Sequence, residues 1–290
     1  MIRFSKYIRL YIIISAVFIL PGLFVLTRWG LKPSIDFSGG TLAEISAASG
    51  ISQETVRSMA EKAEIPLSSI VKSGGNSFIL RSGAVEGGKF SRAVVLLNSE
   101  ASAGATLVRE ESVGPVLGSE LLVKAVIAAV IAVIAILMYI AYAFRNVSFG
   151  VAAVIALIHD LLVVLGSFAL FGRFFGVEVD TLFVTAFLTT MSFSVHDTIV
   201  VFDRIREYRK KFPGMQFEEI CDKALTETIG RSLSNSFTII FMLVALVLYG
   251  GTSTFWFSVA LLIGTVSGTY SSDFVATPAL IMWNRRKAKS

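Results

Sequence analysis

The sequence holds few of the residues on which soluble chemistry depends. Its 290 residues include one cysteine, Cys221, which rules out an internal disulfide and any cysteine-based metal or redox motif. Histidine occurs only at His159 and His196, and charged residues amount to 16% of the chain. No His-Glu-x-x-His, no Gly-x-Ser-x-Gly and no glycine-rich phosphate loop is present, which removes the common hydrolase and nucleotide signatures. Asp160 and Asp197 fall at different depths of their segments and neither follows Gly-x-Gly, against an aspartyl-protease pair. Two histidines, each beside an aspartate, have no metal-ligand spacing, so no metal, cofactor or enzymatic activity is expected. The net charge of +5 is small and its basic residues sit beside apolar segments, so nucleic acid is not an expected partner.

What the chain has instead is apolar length. Hydrophobic residues make up 54% of it, a composition that belongs to the lipid bilayer. Residues 1–27 form a basic start (Arg3, Lys6, Arg9) and a first span. No small-x-small site follows, so this span is expected to remain uncleaved, with Pro21-Gly22 as a kink near its outer end. Residues 121–290 hold five more apolar runs, at 121–144, 148–171, 181–202, 231–249 and 255–283, with a charged cytoplasmic loop at 203–230 that is helical in pattern through Phe217, Ile220, Cys221, Ala224 and Leu225. Each run matches the thickness of a hydrocarbon core.

Residues 28–120 read differently. Residues 34–45 suggest strand, a Gly39-Gly40 turn and strand; 52–63 has helical periodicity with Ser52 as N-cap. Residues 70–81 place Ser73-Gly74-Gly75-Asn76 between two strand-like pieces, 89–100 reads as a second helix and 106–113 as a last strand. Two helices among about four strands make a split α+β layer domain large enough for its own core. Lysine and arginine near the span ends orient the whole. Arg3, Lys6, Arg9, Arg145, seven basic residues between 204 and 231, and Arg285, Arg286, Lys287 and Lys289 fall on one side. That side is expected to be cytoplasmic, with both termini inside and the 28–120 domain outside.

The polar residues inside the spans carry the functional expectation. Thr190, Ser194, Asp197, Val201 and Arg204 share one helical face, so a carboxylate lies in the apolar part of the fourth span, where it is expensive without a partner or a water-filled cavity. Arg231 begins the next span, with Asn235 and Thr238 on its stripe, and an arginine side chain spans the offset to Asp197. A pair would hold the carboxylate ionised and its rupture would favour protonation, giving a two-state proton acceptor. The static alternative is a pair that only sets helix register. His159 and Asp160 are expected to be a hydrogen-bonded structural cluster, their directions about 100° apart. The last span carries Thr265, Thr269 and Ser272 on one face, with Gly264 and Gly268 allowing close approach. Asp273 is expected to be solvated or arginine-paired at the interface, and Asp203, Arg204, Arg206 and Glu207 to form local pairs.

The run Asp197-Thr198-Ile199-Val200-Val201-Phe202-Asp203-Arg204-Ile205-Arg206-Glu207 closely resembles the fourth-span signature of the SecF family, the smaller subunits of the SecD–SecF accessory complex of bacterial Sec translocation. Four other segments agree, in the right order: Ile35-Asp36-Phe37-Ser38-Gly39-Gly40-Thr41, Glu111-Ser112-Val113-Gly114-Pro115-Val116-Leu117-Gly118, Ala156-Leu157-Ile158-His159-Asp160, and Gly264-Thr265-Val266-Ser267-Gly268-Thr269-Tyr270-Ser271-Ser272. The resemblance implies a polytopic α-helical membrane protein of the resistance-nodulation-division type, with six transmembrane helices and a ferredoxin-like extracytoplasmic domain. It implies a SecD partner, the SecY channel complex, a translocating polypeptide and use of the proton gradient at the bacterial inner membrane. It also implies that Asp197 and Arg231 couple protons, with Ser194 and His196 in the same turn as Asp197. Where the family usually has Gly-Tyr-Ser-x-Asn-Asp, this chain has Ser192-Phe193-Ser194-Val195-His196-Asp197, which leaves the coupling ion, proton or sodium, open. Asp273 stands where an apolar residue is common. A small-molecule exporter of the same superfamily is the alternative; the short chain and single small outer domain speak against it.

Overall fold

The computed structural model describes residues 3–48, 50–73, 76–144 and 146–287. The turn expected at Gly74-Gly75, the basic corner at Arg145 and the tail at Lys289 lie outside the described residues. The chain divides into two units, Pro33–Val126 and the combination of Met1–Lys32 with Ile127–Ser290.

A 3-10 turn over Phe4–Tyr7 leads into α1 (Ile8–Trp29), which runs unbroken through Pro21. The Pro33–Val126 unit then opens with a short helical turn, α2 (Ile35–Ser38), where a strand was expected. The reason is local: Ser34 caps the turn, its side chain accepting from Asp36 N at 3.2 Å, and its carbonyl accepts from Ser38 N at 3.0 Å. The remaining elements are β1 (Gly40–Ser46), α3 (Gln53–Lys62), β2 (Leu67–Ser73), β3 (Ser77–Ser82), α4 (Lys89–Ala101) and β4 (Thr106–Val113). All neighbouring strands are antiparallel and their order is β2-β3-β1-β4, the split arrangement of a ferredoxin-like layer. Alternation along β3 buries Phe78 and Leu80 against Val56, Met59 and Ala60 of α3 and Phe90, Ala93 and Leu97 of α4. Phe78→Ala is expected to cost this unit about 3–5 kcal/mol, measured by thermal unfolding followed in the β-sheet signal.

Two of the motifs quoted above meet inside this unit. Gly39 adopts φ +72°, open to glycine, and a Cβ there would stand 2.6 Å from Pro115 Cα. Gly118 returns the contact, since its Cβ would lie 2.9 Å from Gly39 N. The Phe-Ser-Gly-Gly loop therefore crosses the start of α5 (Pro115–Phe144) backbone to backbone.

The bundle continues with α6 (Val147–Phe175), α7 (Thr181–Lys211), α8 (Phe217–Tyr249), α9 (Thr252–Ser271), a π turn over Ser272–Ala276 and α10 (Thr277–Lys287). Among the described residues, six helical segments are long and apolar enough to cross a membrane: Phe4–Trp29, Pro115–Phe144, Val147–Phe175, Thr181–Lys211, Phe217–Tyr249 and Ser253–Lys287. Helices are the natural choice there, because each satisfies its own backbone. The stretch at 203–230, expected to be helical in pattern between two spans, is the continuation of both helices, α7 to Lys211 and α8 from Phe217, joined at 212–216. Its apolar residues explain this: Ile205 and Tyr208 pack with Ile220, Cys221, Ala224 and Leu225 in the bundle core. Small residues set the spacing elsewhere. Gly22 of α1 and Gly166 of α6 touch so closely that a Cβ on Gly22 would sit 2.6 Å from Gly166 Cα.

Candidate functional site

The expected face of α7 is buried where it counts. Thr190, Ser194, Asp197 and Val201 are all in the interior, and Arg204 emerges at its end. α9 lies against this face through Gly264 and Gly268; a Cβ on Gly264 would fall 2.2 Å from Thr190 Cγ2, and one on Gly268 3.1 Å from Ser194 Cα. The bare backbone of α9 brings its hydroxyls to the carboxylate. Thr269 Oγ1 donates to Ser236 Oγ of α8 at 2.7 Å, and the Ser236 hydroxyl interacts with the Asp197 carboxylate. Asp197 also borders a cavity of about 20 Å³ with Phe193, His196, Asn235, Ser236, Thr265 and Thr269. That is room for one water molecule among polar neighbours.

Asp197 and Arg231 are not joined. Arg231 is exposed, and no ion pair connects the two among the described residues. The face of α8 turned inward carries Ser232 and Ser236, one step around the helix from Arg231 and Asn235. Asn235 still reaches the Asp197 cavity, whereas Thr238 is exposed and donates to Ser234 O at 2.9 Å. His196 borders the same cavity from an otherwise exposed position. Ser194 is buried and its Oγ has no hydrogen-bond partner.

The His159–Asp160 pair forms a separate network, without Asn235 or Thr238. Asp160 is fully buried; Oδ1 accepts from Ser267 Oγ at 2.6 Å and Oδ2 from Ser271 Oγ at 2.6 Å. His159 Nδ1 stands 3.0 Å from Asp160 Oδ1, and Nε2 3.1 Å from Ser15 Oγ of α1. The two side chains thus reach different helices while bonding each other. The carboxylate is saturated with donors and locks α6 to α9, which is structural work. Serines 267 and 271 were legible as a four-residue spacing, but it was Thr265, Thr269 and Ser272 that read as the polar face of this span.

Asp273 departs from expectation. It is 2% exposed on the π turn, four residues after Thr269 and so near the same face, and is neither solvated nor paired with arginine. Its neighbour Ser272 bonds Thr198 Oγ1 of α7 at 3.0 Å. At the charged ends, Arg204 pairs with Glu207 at 2.5 Å and with Glu227 of α8, Arg206 with Asp203 at 2.6 Å, and Arg285 with Glu218 at 2.6 Å. These are the local pairs expected, extended across helices. Among the described residues, no three histidine, cysteine or acidic side chains are grouped to hold a metal ion.

Six membrane-length helices, a compact ferredoxin-like unit and carboxylates buried between spans define a multi-pass helical membrane protein of the transport type. The family model "Protein export membrane protein SecD/SecF, C-terminal" matches residues 95–286. Protein translocase subunit SecF of Thermobaculum terrenum is 40% identical over 99% of this chain and 95% of its own length. The SecF of Anaerolinea thermophila is 38% identical over 94% and 91%. The crystal structure of SecDF from Thermus thermophilus, described as a translocon-associated membrane protein, superposes with a TM-score of 0.87 at 30% identity. It is covered by 98% of this chain, which spans only 39% of that longer one. The chain belongs to the SecF family and is an accessory subunit of Sec protein translocation. The exporter alternative is not favoured, since these relatives are translocase subunits.

Proposed function

We propose that the chain is the proton-coupling subunit of a two-part translocase accessory, pairing with a SecD-like subunit and acting beside the SecY channel on an emerging polypeptide. The observation that carries this reading is Asp197, a carboxylate buried between three spans, touched by Ser236 and open to a cavity with room for one water. Protonation there neutralises a charge that the apolar interior holds at a cost; ionisation draws Arg231 inward from its exposed place on α8. The arrangement described above is the one with Arg231 released. Ser194 and His196 flank the carboxylate on α7 and serve its proton exchange; Asn235 borders the same cavity.

His196, Arg231, Asn235 and Thr238 are exposed on α7 and α8 within apolar spans, where lipid is a poor neighbour for polar groups. This face is proposed as the seat of the SecD-like partner, in keeping with the share of the SecDF chain that this chain does not span. The setting is the bacterial inner membrane, with both termini in the cytoplasm and the ferredoxin-like unit outside. The work is mechanical and not enzymatic. In membrane vesicles holding the complete complex, Asp197→Asn is expected to assemble normally and to lose the entire gradient-dependent gain in secretion. Secretion at the wild-type level by that variant refutes the coupling role.

A further inference from the structure

A second buried carboxylate stands beside the first and has no part in the coupling just described. Asp273 is 2% exposed, and its Oδ1 has no hydrogen-bond partner. The π turn that carries it packs against α1, α6, α7, α9 and α10. The ionisable groups on those elements leave its charge uncompensated. α6 brings Asp160 and His159, engaged with each other; α1 brings Tyr11, and α9 brings Tyr270, whose hydroxyl donates to Tyr11 O. The first basic residue of α10, Arg285, is exposed and paired with Glu218, and Arg231 of α8 is exposed. What α7 brings is Asp197, with His196 exposed beside it; Thr198, next to Asp197, bonds Ser272, next to Asp273, at 3.0 Å, and Ser272 Oγ also reaches Ser194 O at 3.3 Å. Three more buried hydroxyls without partners lie on α7, α8 and α10. Ser194 lies a turn from Asp197, Ser232 a turn from Ser236, and Thr277 a turn from Asp273. Native interiors rarely leave polar atoms unmatched, and here four gather in one region.

We propose that Asp197 and Asp273 form one proton-binding pair that shares a single negative charge. Like charges on adjoining turns of a low-dielectric interior do not both persist, so an O–H bond formed on one carboxyl is matched by ionisation of the other. No electron transfer is involved. Because the two groups stand on α7 and on the π turn of the last span, the position of the proton is tied to the contact between those elements. The inference rests on the proton-coupling reading of Asp197 and names its second partner.

The test is an infrared titration of the full chain with its SecD-like partner in vesicles, following the carbonyl stretch of protonated carboxyls, with variant-minus-wild-type differences to assign the bands. Wild type is expected to gain the signal in two steps, about tenfold or more apart in proton concentration. Asp197→Asn and Asp273→Asn are each expected to leave one step lying between those two. A titration unchanged by Asp273→Asn overturns the pair, as does a single step in wild type. Should Asp273→Asn fail to assemble, Asp197→Asn decides alone, because its remaining step must fall between the wild-type steps. Secretion separates this inference from the reading beneath it. An Asp197→Asn chain that keeps its gradient-driven gain removes the coupling role and leaves the paired titration standing; loss of that gain without paired titration removes only the pair.

Discussion

Gly264→Ala is expected to destabilise the bundle by about 1–3 kcal/mol, and Gly264→Leu by more, through enforced separation of α7 and α9. The new Cβ would meet Thr190 Cγ2 at 2.2 Å, Oγ1 at 2.3 Å and Cβ at 2.8 Å. Rotating Thr190 about χ1 leaves its Cβ at 2.8 Å, and its Oγ1 is already bonded to Ala186 O at 2.9 Å. The helices must part. Because Thr190, Ser194 and Asp197 share that face, the Thr269–Ser236 bridge beside Asp197 should open as well. Thermal unfolding of the purified complex measures the loss. The double variant Gly264→Ala with Thr190→Gly should recover most of it, since the clash has one source. If Gly264→Ala unfolds with the wild type, the helices are not held as closely as described.

Asp160→Ala is expected to be the other severe change. It strands Ser267 Oγ and His159 Nδ1, and leaves Ser271 Oγ only its 3.3 Å contact with Gly268 O. Each stranded donor costs about 1–3 kcal/mol, so a loss of about 3 kcal/mol or more is expected. Asp160→Asn keeps an acceptor for one serine and offers an amide to the other, so its loss should be small by comparison. Secretion distinguishes this carboxylate from Asp197. With a structural role, Asp160→Asn retains the gradient-dependent gain that Asp197→Asn abolishes. An assembled Asp160→Asn complex without that gain would make Asp160 a proton carrier and overturn the structural assignment.

The contrast between the two carboxylates shows what was legible in the chain and what was not. Asp197 announced itself because an acidic residue inside an apolar run has few cheap explanations, and the three-and-four spacing to Thr190, Ser194 and Val201 put it on a definable face. Its hydroxyl neighbour on α8 was not legible: Arg231 offered opposite charge and is exposed in this arrangement, while the inward face carries Ser232 and Ser236. Charge attraction is visible in a sequence; helix rotation is not. Asp273 was misjudged for a similar reason. Its distance from the chain's basic end suggested an interface, but it follows Thr269 by four residues and is buried with that face. The helical pattern of 203–230 was legible from Phe217, Ile220, Cys221, Ala224 and Leu225, whereas its joining of the bundle core with Phe202 and Ile205 was not.

By itself the sequence determined the class of the protein: six apolar lengths matched to a bilayer, the ferredoxin-like alternation between the first two, and motifs specific to one family. These are properties of local composition and period, which a chain carries wherever it folds. The tertiary structure decided which polar groups meet. Asp160 is held by Ser267 and Ser271, Asp197 shares a cavity with Ser236, and Asp273 has no hydrogen bond at its Oδ1, because contacts between spans depend on the rotation and depth of whole helices. Those are set by bare glycine contacts at Gly22, Gly166, Gly264 and Gly268.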